Sequence, residues 1–393
     1  MTSADGIRAA RERLTAVGSG LRARPRARTV DTFAALLDAW RRPDSRWQQR
    51  LVEALPAATG FEPQTVREGL ARGLEHWTGD ALREVVANEL GAIPGEAEGF
   101  AQTSLLLAGS IPMPTLTSLM APLLLHSPVL AKSASRDPVT PCLFAECLRE
   151  IDPELGAAIE VVRFASGDSA TRKAFLDSDC VVATGSDETV AEIRQHVRAS
   201  ARLVTHGHRM SIAVVGPEHA EATALDVALW DQLGCLSPVA AYCETRHAEA
   251  FAEALATALK KLERRLPRGG LPTSAAAAIR RERDEAEMRH AAGLDVSIRG
   301  DRALRWTVIR EADTLWRPAP LYRFVRVHPI DSREHLLQAL EPVASHLAGI
   351  SSELPEHDLP LPGAPRICKP GSLQTPPLAW HHDGQPLLAP LAR

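Results

Sequence analysis

The 393-residue sequence has few aromatic residues (4%) and six cysteines, none of which form a CxxC pair. Structural zinc sites and the disulfide frameworks of small secreted domains both depend on characteristic cysteine spacings. The spacing here predicts neither, and a reducing cytoplasm is the expected compartment. The cysteines are Cys142, Cys147, Cys180, Cys235, Cys243 and Cys368.

Long apolar runs are also missing. The best run, residues 119–131, contains Pro122, His126 and Pro128 and is too short to span a bilayer. The first residues, MTSADGIRAARERL, are charged and lack an apolar core, which predicts no secretory signal. We therefore expect no membrane span.

Charge of one sign does not dominate, because the formal net charge is −4. No basic field favours nucleic acid or anionic lipid, and no Gly-rich Walker loop is present. The histidines have no spacing typical of a metal site, so no metal is expected. Those considered are His206, His208, His381 and His382.

The length predicts two or three domains with substantial cores. Residues 1–105 show helical patterns, and in TVDTFAALLDAWRR we expect Asp31 to be an N-cap. Periodicity leaves open whether this region is a domain of its own or a cap over a later site.

From residue 106 to 205, short apolar runs alternate with helical stretches. Such repeated strand–helix–strand units need crossover connections, which predicts a parallel sheet with helices on its faces. Sheets of this kind bind ligands beyond the carboxyl ends of their strands. The predicted strands are 128–132, 157–164, 180–185 and 201–207, and the predicted helices are 138–151, 169–178 and 188–197.

The next region, 206–350, mixes strands with longer helices, and the prolines that are frequent from Glu353 onward indicate a linker by composition. The predicted strands are 211–216, 303–309 and 321–327, and the predicted helices are 224–233, 245–266, 273–293 and 332–347.

The stretch WDQLGCLSP (230–238) is the most informative for chemistry. A helix leads to Cys235, and the preceding Gly234 would let a substrate carbonyl approach. Backbone N–H groups of the following turn could hold an oxyanion and lower the pKa of the thiol. The alternative is a buried, inert cysteine, which is the commoner fate of this residue.

Three further segments have a functional and a plain structural interpretation. In TGSDETV (184–190), Gly185 and Ser186 could approach a pyrophosphate, or Ser186 or Asp187 could simply cap a helix. Lys132 lies at the end of a predicted strand, where it could meet ribose hydroxyls or phosphate, or be a solvated lysine. LAGSIPMP (107–114) could be only a loop.

Taken together, these pieces resemble the acyl-CoA reductases of LuxC type, which belong to the aldehyde dehydrogenase superfamily. The resemblance runs from about residue 105 to the C-terminus, and its most specific parts are GCLSP, VVATGSDETV and CKPGSLQTPPLAWHHDGQPL. It replaces the linker interpretation of 365–393 with an ordered segment.

The resemblance implies an α/β, aldehyde dehydrogenase-like fold. In this division, residues 1–105 are a helical region and 106–205 a Rossmann-like cofactor domain. Residues 206–350 form an α/β catalytic domain, and 351–393 return to pack on the fold or on a second subunit. A homo-oligomer, dimer or tetramer, is expected.

Residue by residue, the resemblance makes Cys235 the nucleophile and gives Lys132, Gly185 and Ser186 cofactor contacts. Many relatives that use NAD carry a carboxylate three residues after the lysine, where this chain has Ser135, followed by Arg136. Loss of a carboxylate removes repulsion of a 2′-phosphate, and a guanidinium attracts it. The expected cofactor is NADPH.

Two departures from the superfamily pattern bear on catalysis. Ser110 stands where relatives use an Asn as an oxyanion donor, and a hydroxyl reaches less far than a carboxamide. Near the place of the Glu that activates water in aldehyde oxidisers, this chain has Thr205–His206–Gly207–His208. Without that base the thioacyl-enzyme should survive. His206 or His208 could shuttle a proton or be structural.

The implied reaction is reduction of an acyl thioester, from acyl-CoA or an acyl-carrier protein, to an aldehyde through a thioester on Cys235. Two alternatives remain open. The chain could be an acyl-holding transfer or scaffold subunit without reductase activity of its own, which the Ser110 departure allows. It could also be an aldehyde-oxidising dehydrogenase.

Overall fold

The computed structural model describes residues 1–93 and 97–393, which form two compact units. The first unit contains Met1–Thr59, Gly73–His208 and Pro377–Arg393, and the second contains Gly60–Arg72 and Arg209–Pro376. The chain therefore passes between the units several times. Part of the N-terminal helical region and the stretch 351–376 belong to the second unit.

The N-terminal region is helical, as predicted. Its helices are α1 (Ala4–Ala23), α2 (Arg26–Arg41), α3 (Arg46–Thr59), α4 (Pro63–Gly73) and α5 (Gly79–Gly91). The predicted N-cap at Asp31 is wrong, because α2 begins at Arg26, after Pro25. Thr29 and Val30, which precede Asp31, are already buried on the same helix as Phe33 and Leu37, so packing carries the helix back past Asp31.

The sheet of the first unit has five parallel strands, which confirms the parallel sheet predicted from the alternating pattern. Its strands are β1 (Thr103–Leu106), β2 (Val129–Lys132), β3 (Ile159–Val162), β4 (Cys180–Thr184) and β5 (Arg202–His206), in the order β3-β2-β1-β4-β5. The intervening helices are α6 (Pro112–Leu124), α7 (Thr140–Ile151), α8 (Pro153–Gly156), α9 (Ser169–Leu176) and α10 (Asp187–His196).

One face of this sheet packs against α1 and α9. Ile7 and Leu14 from α1 share a buried cluster with Leu130, Phe175 and Val181. Parallel strands covered on both faces are apolar along their length, which is why the runs were readable in the sequence. The first helix is therefore part of the core of this sheet.

The second unit holds a seven-stranded sheet in the order β12-β11-β6-β7-β10-β9-β8. Its strands are β6 (Met210–Val214), β7 (Pro238–Glu244), β8 (Ser297–Gly300), β9 (Thr307–Arg310), β10 (Phe324–Ile330), β11 (Leu347–Ser352) and β12 (Arg366–Cys368). Among the described residues, β8 pairs antiparallel with β9 and the other pairs are parallel. The sequence analysis did not predict β7, β8, β11 or β12.

Helices cover this sheet as well: α11 (Ala220–Ala228), α12 (Thr245–Leu262), α13 (Thr273–Ala291) and α14 (Arg333–Leu340). Phe251 and Leu255 of α12 pack in one buried cluster with Val308, Val325 and Val327. In the part of the chain that the structure describes, no helix has the length and apolar character needed to cross a lipid bilayer.

Candidate active site

The turn that carries Cys235 follows an abrupt end of α11. The predicted helix over 224–233 is wrong in its second half, because α11 ends at Ala228. Trp230, Asp231 and Gln232 then adopt φ angles of 54°, 49° and 65°. None of the three is glycine, and each left-handed residue costs about 1 kcal/mol or more. Tertiary contacts must therefore hold this segment.

The strongest of these contacts is a buried ion pair. The Asp231 carboxylate accepts hydrogen bonds from the Arg323 guanidinium at 2.7 and 3.1 Å, and the two side chains are 2% and 1% exposed. Arg323 ends a second left-handed segment, in which Leu321, Tyr322 and Arg323 have φ of 66°, 57° and 66°. The ion pair therefore connects the strained segment 230–232 to the strained segment 321–323.

The neighbouring Gln232 adds a second connection between the same segments. Its side-chain oxygen accepts from the Phe324 N–H at 2.9 Å, and its amide nitrogen donates to the Phe324 carbonyl at 2.9 Å. The same nitrogen donates to the carbonyl of Pro238, the first residue of β7. Gln232 therefore fixes both ends of the short stretch that contains Cys235.

The third member of the segment, Trp230, is fully buried against a glycine of α4. A Cβ placed on Gly69 would lie 2.2 and 2.4 Å from atoms of the Trp230 ring, so only glycine fits there. Phe61 packs edge-on against the same ring, with centroids 5.4 Å apart. The indole thus anchors the turn through its contacts with Gly69 and Phe61.

Cys235 itself lies in a tight turn immediately before the amino end of β7. The Ser237 N–H donates to the Gly234 carbonyl at 3.0 Å, and the Ser211 hydroxyl donates to the Cys235 carbonyl at 2.7 Å. Cys235 is partly exposed. The structure thus agrees with the predicted backbone corner at Cys235. The chain reaches this corner from the strained segment Trp230–Gln232, however, and not from a helix.

The other five thiols are less suited to nucleophilic chemistry. Burial raises the pKa of Cys147 and Cys368 to about 11, and that of Cys180 and Cys243 to about 12. Burial also raises the pKa of Cys142, which lies on the surface of α7. Since the thiolate is the attacking species, raised pKa values disfavour these five residues.

The tail supports the same turn from another direction. The amide of Gln374 donates to the Ser237 hydroxyl at 3.0 Å and to the Asp226 carbonyl at 3.2 Å. The Asp226 carboxylate accepts from the Gly371 N–H at 2.9 Å. Burial raises the pKa of Asp226 to about 7, although its hydrogen bonds and the Arg366 charge oppose that shift. Sequence reasoning missed Asp226, which no local pattern marks, and it gave no role to Gln374, although Gln374 lies in the family-like tail segment CKPGSLQTPPLAWHHDGQPL.

A cleft of about 450 Å³ lies elsewhere in this unit, lined by residues 352–356 and 367–369. It opens past the carboxyl ends of β11 and β12. Cys235 precedes the amino end of β7, and these strands share one direction through β6. The cleft and the thiol are therefore at opposite edges of the sheet.

In the first unit, predicted cofactor residues lie at the carboxyl ends of β2 and β4, the two strands on either side of β1. Lys132 ends β2, and Gly185 and Ser186 follow β4. Ser110 lies in the loop after β1, and His206 ends β5. Because β1 connects onward to β2 and is flanked by β4 on its other side, the strand order reverses there. Open α/β sheets bind ligands at such a reversal.

Lys132 is half-buried, and its ammonium lies 5.2 Å from the centre of the Phe164 ring. Burial lowers the pKa of this lysine. Ser135 and Arg136 are exposed in the loop that follows. Lys132 is therefore a held cation, and neither Ser135 nor Arg136 carries a carboxylate. This arrangement is consistent with the predicted binding of a cofactor that has a 2′-phosphate.

Ser186 is the N-cap of α10, and its hydroxyl accepts from the Thr189 N–H at 3.3 Å. Asp187 and Glu188 fill the first turn of that helix. Carboxylates at a helix N-terminus already complement its dipole. The capping interpretation of this segment is therefore present in the structure, and the two acidic residues weigh against a pyrophosphate held directly by this helix end.

The loop after β1 contains Gly109 with φ of +86°, a conformation that favours glycine. Ser110, 3% exposed, follows it and precedes Pro112 at the start of α6. Ser110 thus lies at a loop-to-helix junction. Its role as an oxyanion donor stays a prediction.

His206 has partners that the sequence analysis did not foresee. Its Nδ1 lies 2.9 Å from Asp383 Oδ2 and 3.3 Å from His382 Nδ1. Histidine spacing gives no sign of this cluster, because His206 and His382 lie 176 positions apart in the sequence. Contacts with the tail favour a structural or ligand role for His206 over a proton shuttle.

Comparison with solved structures defines the class of fold. Aldehyde dehydrogenase 21 from Physcomitrella patens superposes with a TM-score of 0.74 at 14% identity, covering 100% of this chain and 90% of that one. The NADP-dependent glyceraldehyde-3-phosphate dehydrogenase from Bacillus halodurans gives 0.72 at 14% identity, with the same coverage. The chain has the aldehyde dehydrogenase fold.

Within that class, the model of the family "Acyl-CoA reductase (LuxC)" matches residues 24–393, so the chain belongs to this family. The long-chain acyl-protein thioester reductase of Photorhabdus laumondii is 26% identical over 301 residues, covering 73% of this chain and 61% of the relative. The Vibrio harveyi protein of the same name is 22% identical over 329 residues, covering 77% and 67%. The chain thus matches less than two thirds of the length of the first of these relatives.

Proposed function

We propose that this chain reduces an acyl thioester to an aldehyde with NADPH, through a thioester formed on Cys235. The observation that carries the proposal is the partly exposed Cys235 at a strained, tightly held turn in a chain of the acyl-CoA reductase family. We assign the chemistry of the thiol to the second unit and cofactor binding to the first.

The carboxyl edge of the first sheet fits a dinucleotide in its chemistry. Lys132 offers a half-buried cation. Gly185 has no side chain, so the cofactor can approach the protein backbone closely, next to the place where the strand order reverses. Ser135 and Arg136 leave space and positive charge for a 2′-phosphate. Asp187 and Glu188 oppose a phosphate directly on α10, so Lys132 is the better candidate for its neutralisation.

The proposed reaction begins when the Cys235 thiolate attacks the thioester carbonyl carbon. A C–S bond forms, the donor's C–S bond breaks, and the expelled thiolate takes a proton. The dihydronicotinamide, when bound, supplies the hydride that reduces the new thioester carbon. Hydride addition leaves the thiohemiacetal as its alkoxide on Cys235. The C–S bond of this alkoxide then breaks, which releases the aldehyde and returns Cys235 as thiolate.

Oxyanions that form at the substrate carbonyl need hydrogen-bond donors. In the Cys235 turn, backbone N–H groups are the nearest source, and we keep Ser110 as a second candidate donor. The absence of a carboxylate from residues 205–208 removes an obvious base for water, which should protect the thioacyl-enzyme from hydrolysis.

The acyl donor is proposed from the relatives' names. They are long-chain acyl-protein thioester reductases, and the family is named for acyl-CoA. Both donors present the same thioester to Cys235, so the assay should include acyl-CoAs and acyl-carrier proteins of several chain lengths.

Cys235→Ala tests the proposal, with Cys142→Ala as a matched control because Cys142 is exposed on α7. We expect the wild type and the control to oxidise NADPH with an acyl thioester, and mass spectrometry to find the acyl group on Cys235. The C235A variant should lose both signals, with turnover down about 1,000-fold or more.

Two results would remove the proposal. A folded C235A protein that still oxidises NADPH would exclude Cys235 as the nucleophile. Acylated Cys235 in a wild-type protein that never consumes NADPH would instead identify an acyl-holding subunit.

A further inference from the structure

Three side chains of the first unit bring one donor atom each to a single point. His206 ends strand β5, while His382 and Asp383 lie in the C-terminal tail. The distances are 2.9 Å from His206 Nδ1 to Asp383 Oδ2, 3.3 Å between the two Nδ1 atoms, and 3.4 Å from His382 Nδ1 to Asp383 Oδ2. The cluster joins residues about 176 positions apart in the sequence.

These distances match the spacing of ligands around one small metal ion. In a tetrahedral zinc site with bonds of about 2.0–2.1 Å, neighbouring ligand atoms stand roughly 3.3 Å apart. Two imidazole nitrogens and one carboxylate oxygen are also the donor types that zinc takes. Magnesium and calcium prefer sets made of oxygen alone, so they fit less well.

Hydrogen bonds cannot account for all three of these contacts at the same time. An imidazole Nδ1 carries either a hydrogen or a lone pair. If His206 Nδ1 donates to Asp383, it has no lone pair for His382. If it accepts from His382, it presents a lone pair to the carboxylate. No protonation state makes all three contacts hydrogen bonds, whereas a cation attracts all three lone pairs.

The surroundings suit an ion that remains accessible to water. The Asp383 side chain is 1% exposed, and those of His206 and His382 are 20% and 33% exposed. Trp380 lies edge-on to the His382 ring, with centroids 5.2 Å apart, which restricts its orientation. Asp383 adopts φ of +58°, a left-handed backbone conformation, and its carboxylate contacts both rings.

We propose that His206, His382 and Asp383 form a site for Zn²⁺, with water as the fourth ligand. The site ties the tail to the end of β5, both within the first unit. This role is separate from the chemistry of Cys235, and its test does not depend on turnover.

The test uses the full chain purified without chelators, with zinc measured by elemental analysis and affinity measured by competition. Co²⁺ serves as a spectroscopic probe, because tetrahedral Co²⁺ gives visible d–d absorption. The variants are H206A, H382A and D383N, and the control is H381A, since His381 is adjacent but its side chain is 51% exposed. Circular dichroism checks that each variant folds.

We expect one zinc per wild-type or H381A chain and the tetrahedral Co²⁺ spectrum in both. Each of the three ligand variants should bind zinc about 100-fold more weakly and lose that spectrum. Addition of EDTA to the wild type should expose the tail to carboxypeptidase, and zinc should restore protection.

The proposal is overturned if the wild type binds zinc no more tightly than D383N. It is equally overturned if H381A loses as much affinity as H382A. A wild type that stays free of metal, yet is destabilised by D383N, would show that the three groups form only a hydrogen-bonded contact.

Discussion

Asp231 and Arg323 form an ion pair, 2.7 Å between Oδ1 and a guanidinium nitrogen, that joins two left-handed segments of non-glycine residues. Arg323 also donates to Glu263 Oε2 at 2.8 Å and to the Leu266 carbonyl at 2.7 Å, and the Gly269 N–H donates to Asp231 Oδ2 at 3.0 Å. The polar atoms of the Asp231 and Arg323 side chains are therefore paired, and the strain of the Cys235 turn is offset by contacts 92 residues away.

Removing one partner of this pair should destabilise the protein strongly. In Asp231→Asn, the Arg323 guanidinium stays buried with half of its charge compensation gone. Breaking a buried pair in this way costs about 3 kcal/mol or more. The free energy of unfolding from urea titration measures the loss, and alkylation of Cys235 should change in rate as its turn loosens.

Glu146→Gln is the matched control, because it breaks the Arg50–Glu146 pair, whose side chains are 42% and 54% exposed. Exposed pairs contribute below about 1 kcal/mol. If D231N costs no more than E146Q, the ion pair does not hold the two segments.

Gly69→Ala should destabilise the protein although alanine is the better helix former. The added Cβ would meet Trp230 ring atoms at 2.2 and 2.4 Å, and overpacking of this kind costs about 1–3 kcal/mol. Thermal or urea unfolding measures this loss. In Gly20→Ala, the new Cβ would meet nothing within 4 Å in α1, so helix propensity predicts a gain of about 0.5–1 kcal/mol. Equal effects at both positions would rule out the Trp230 contact as the cause.

The buried Asp226 should make stability depend on pH. Its folded pKa is about 7, above the value of about 3.9 for an unfolded chain. Between these values the folded state keeps a proton that the unfolded state has lost. The wild-type free energy of unfolding therefore falls as pH rises, by up to about 1.4 kcal/mol per pH unit from this group, and levels off above about pH 7.

Asp226→Asn isolates this contribution, since an amide does not titrate and its oxygen can still accept from the Gly371 N–H. The variant's stability relative to wild type should increase from pH 5 to pH 7 and stay constant beyond about pH 8. Urea titrations at each pH measure the difference. A difference that is flat across pH 5–8 would mean that Asp226 ionises normally in the folded protein.

Ser135→Glu should change the cofactor preference that we propose. A carboxylate at this exposed position would repel a 2′-phosphate and could accept from a ribose hydroxyl. The KM for NADPH should rise about 10-fold, equivalent to about 1.4 kcal/mol, while that for NADH falls. Ser135→Ala is the control, and it should leave both KM values close to wild type. No change in S135E would place the 2′-phosphate away from Ser135.

Much of the parallel sheet in the first unit was predictable. Runs such as Val129–Lys132 and Cys180–Thr184 are apolar up to their last residue because both faces of the sheet are covered, and this burial is visible in the sequence. The missed strand Pro238–Glu244 directly follows the Cys235 turn and begins with proline, which reads as a break.

The candidate site was only partly predictable. Cys235 was identified as a candidate from the neighbouring Gly234, which would let a substrate carbonyl approach, and from the family resemblance. The backbone conformation that leads to Cys235 was not predictable, since nothing in Trp230–Asp231–Gln232 indicates a left-handed conformation. The partners that impose it, Gly69 and Arg323, lie far away in the sequence.

By itself, the sequence determined the alternation of strands and helices, and with it the parallel sheet of the first unit. This property follows from local periodicity and residue type, which act over a few positions. The aldehyde dehydrogenase-like fold and the choice of Cys235 came instead from resemblance to a family. Only the tertiary structure decided that Asp231 meets Arg323 and that His206 meets His382 and Asp383. Such contacts exist because folding buries charged and polar groups that must then find partners, wherever along the chain those partners lie.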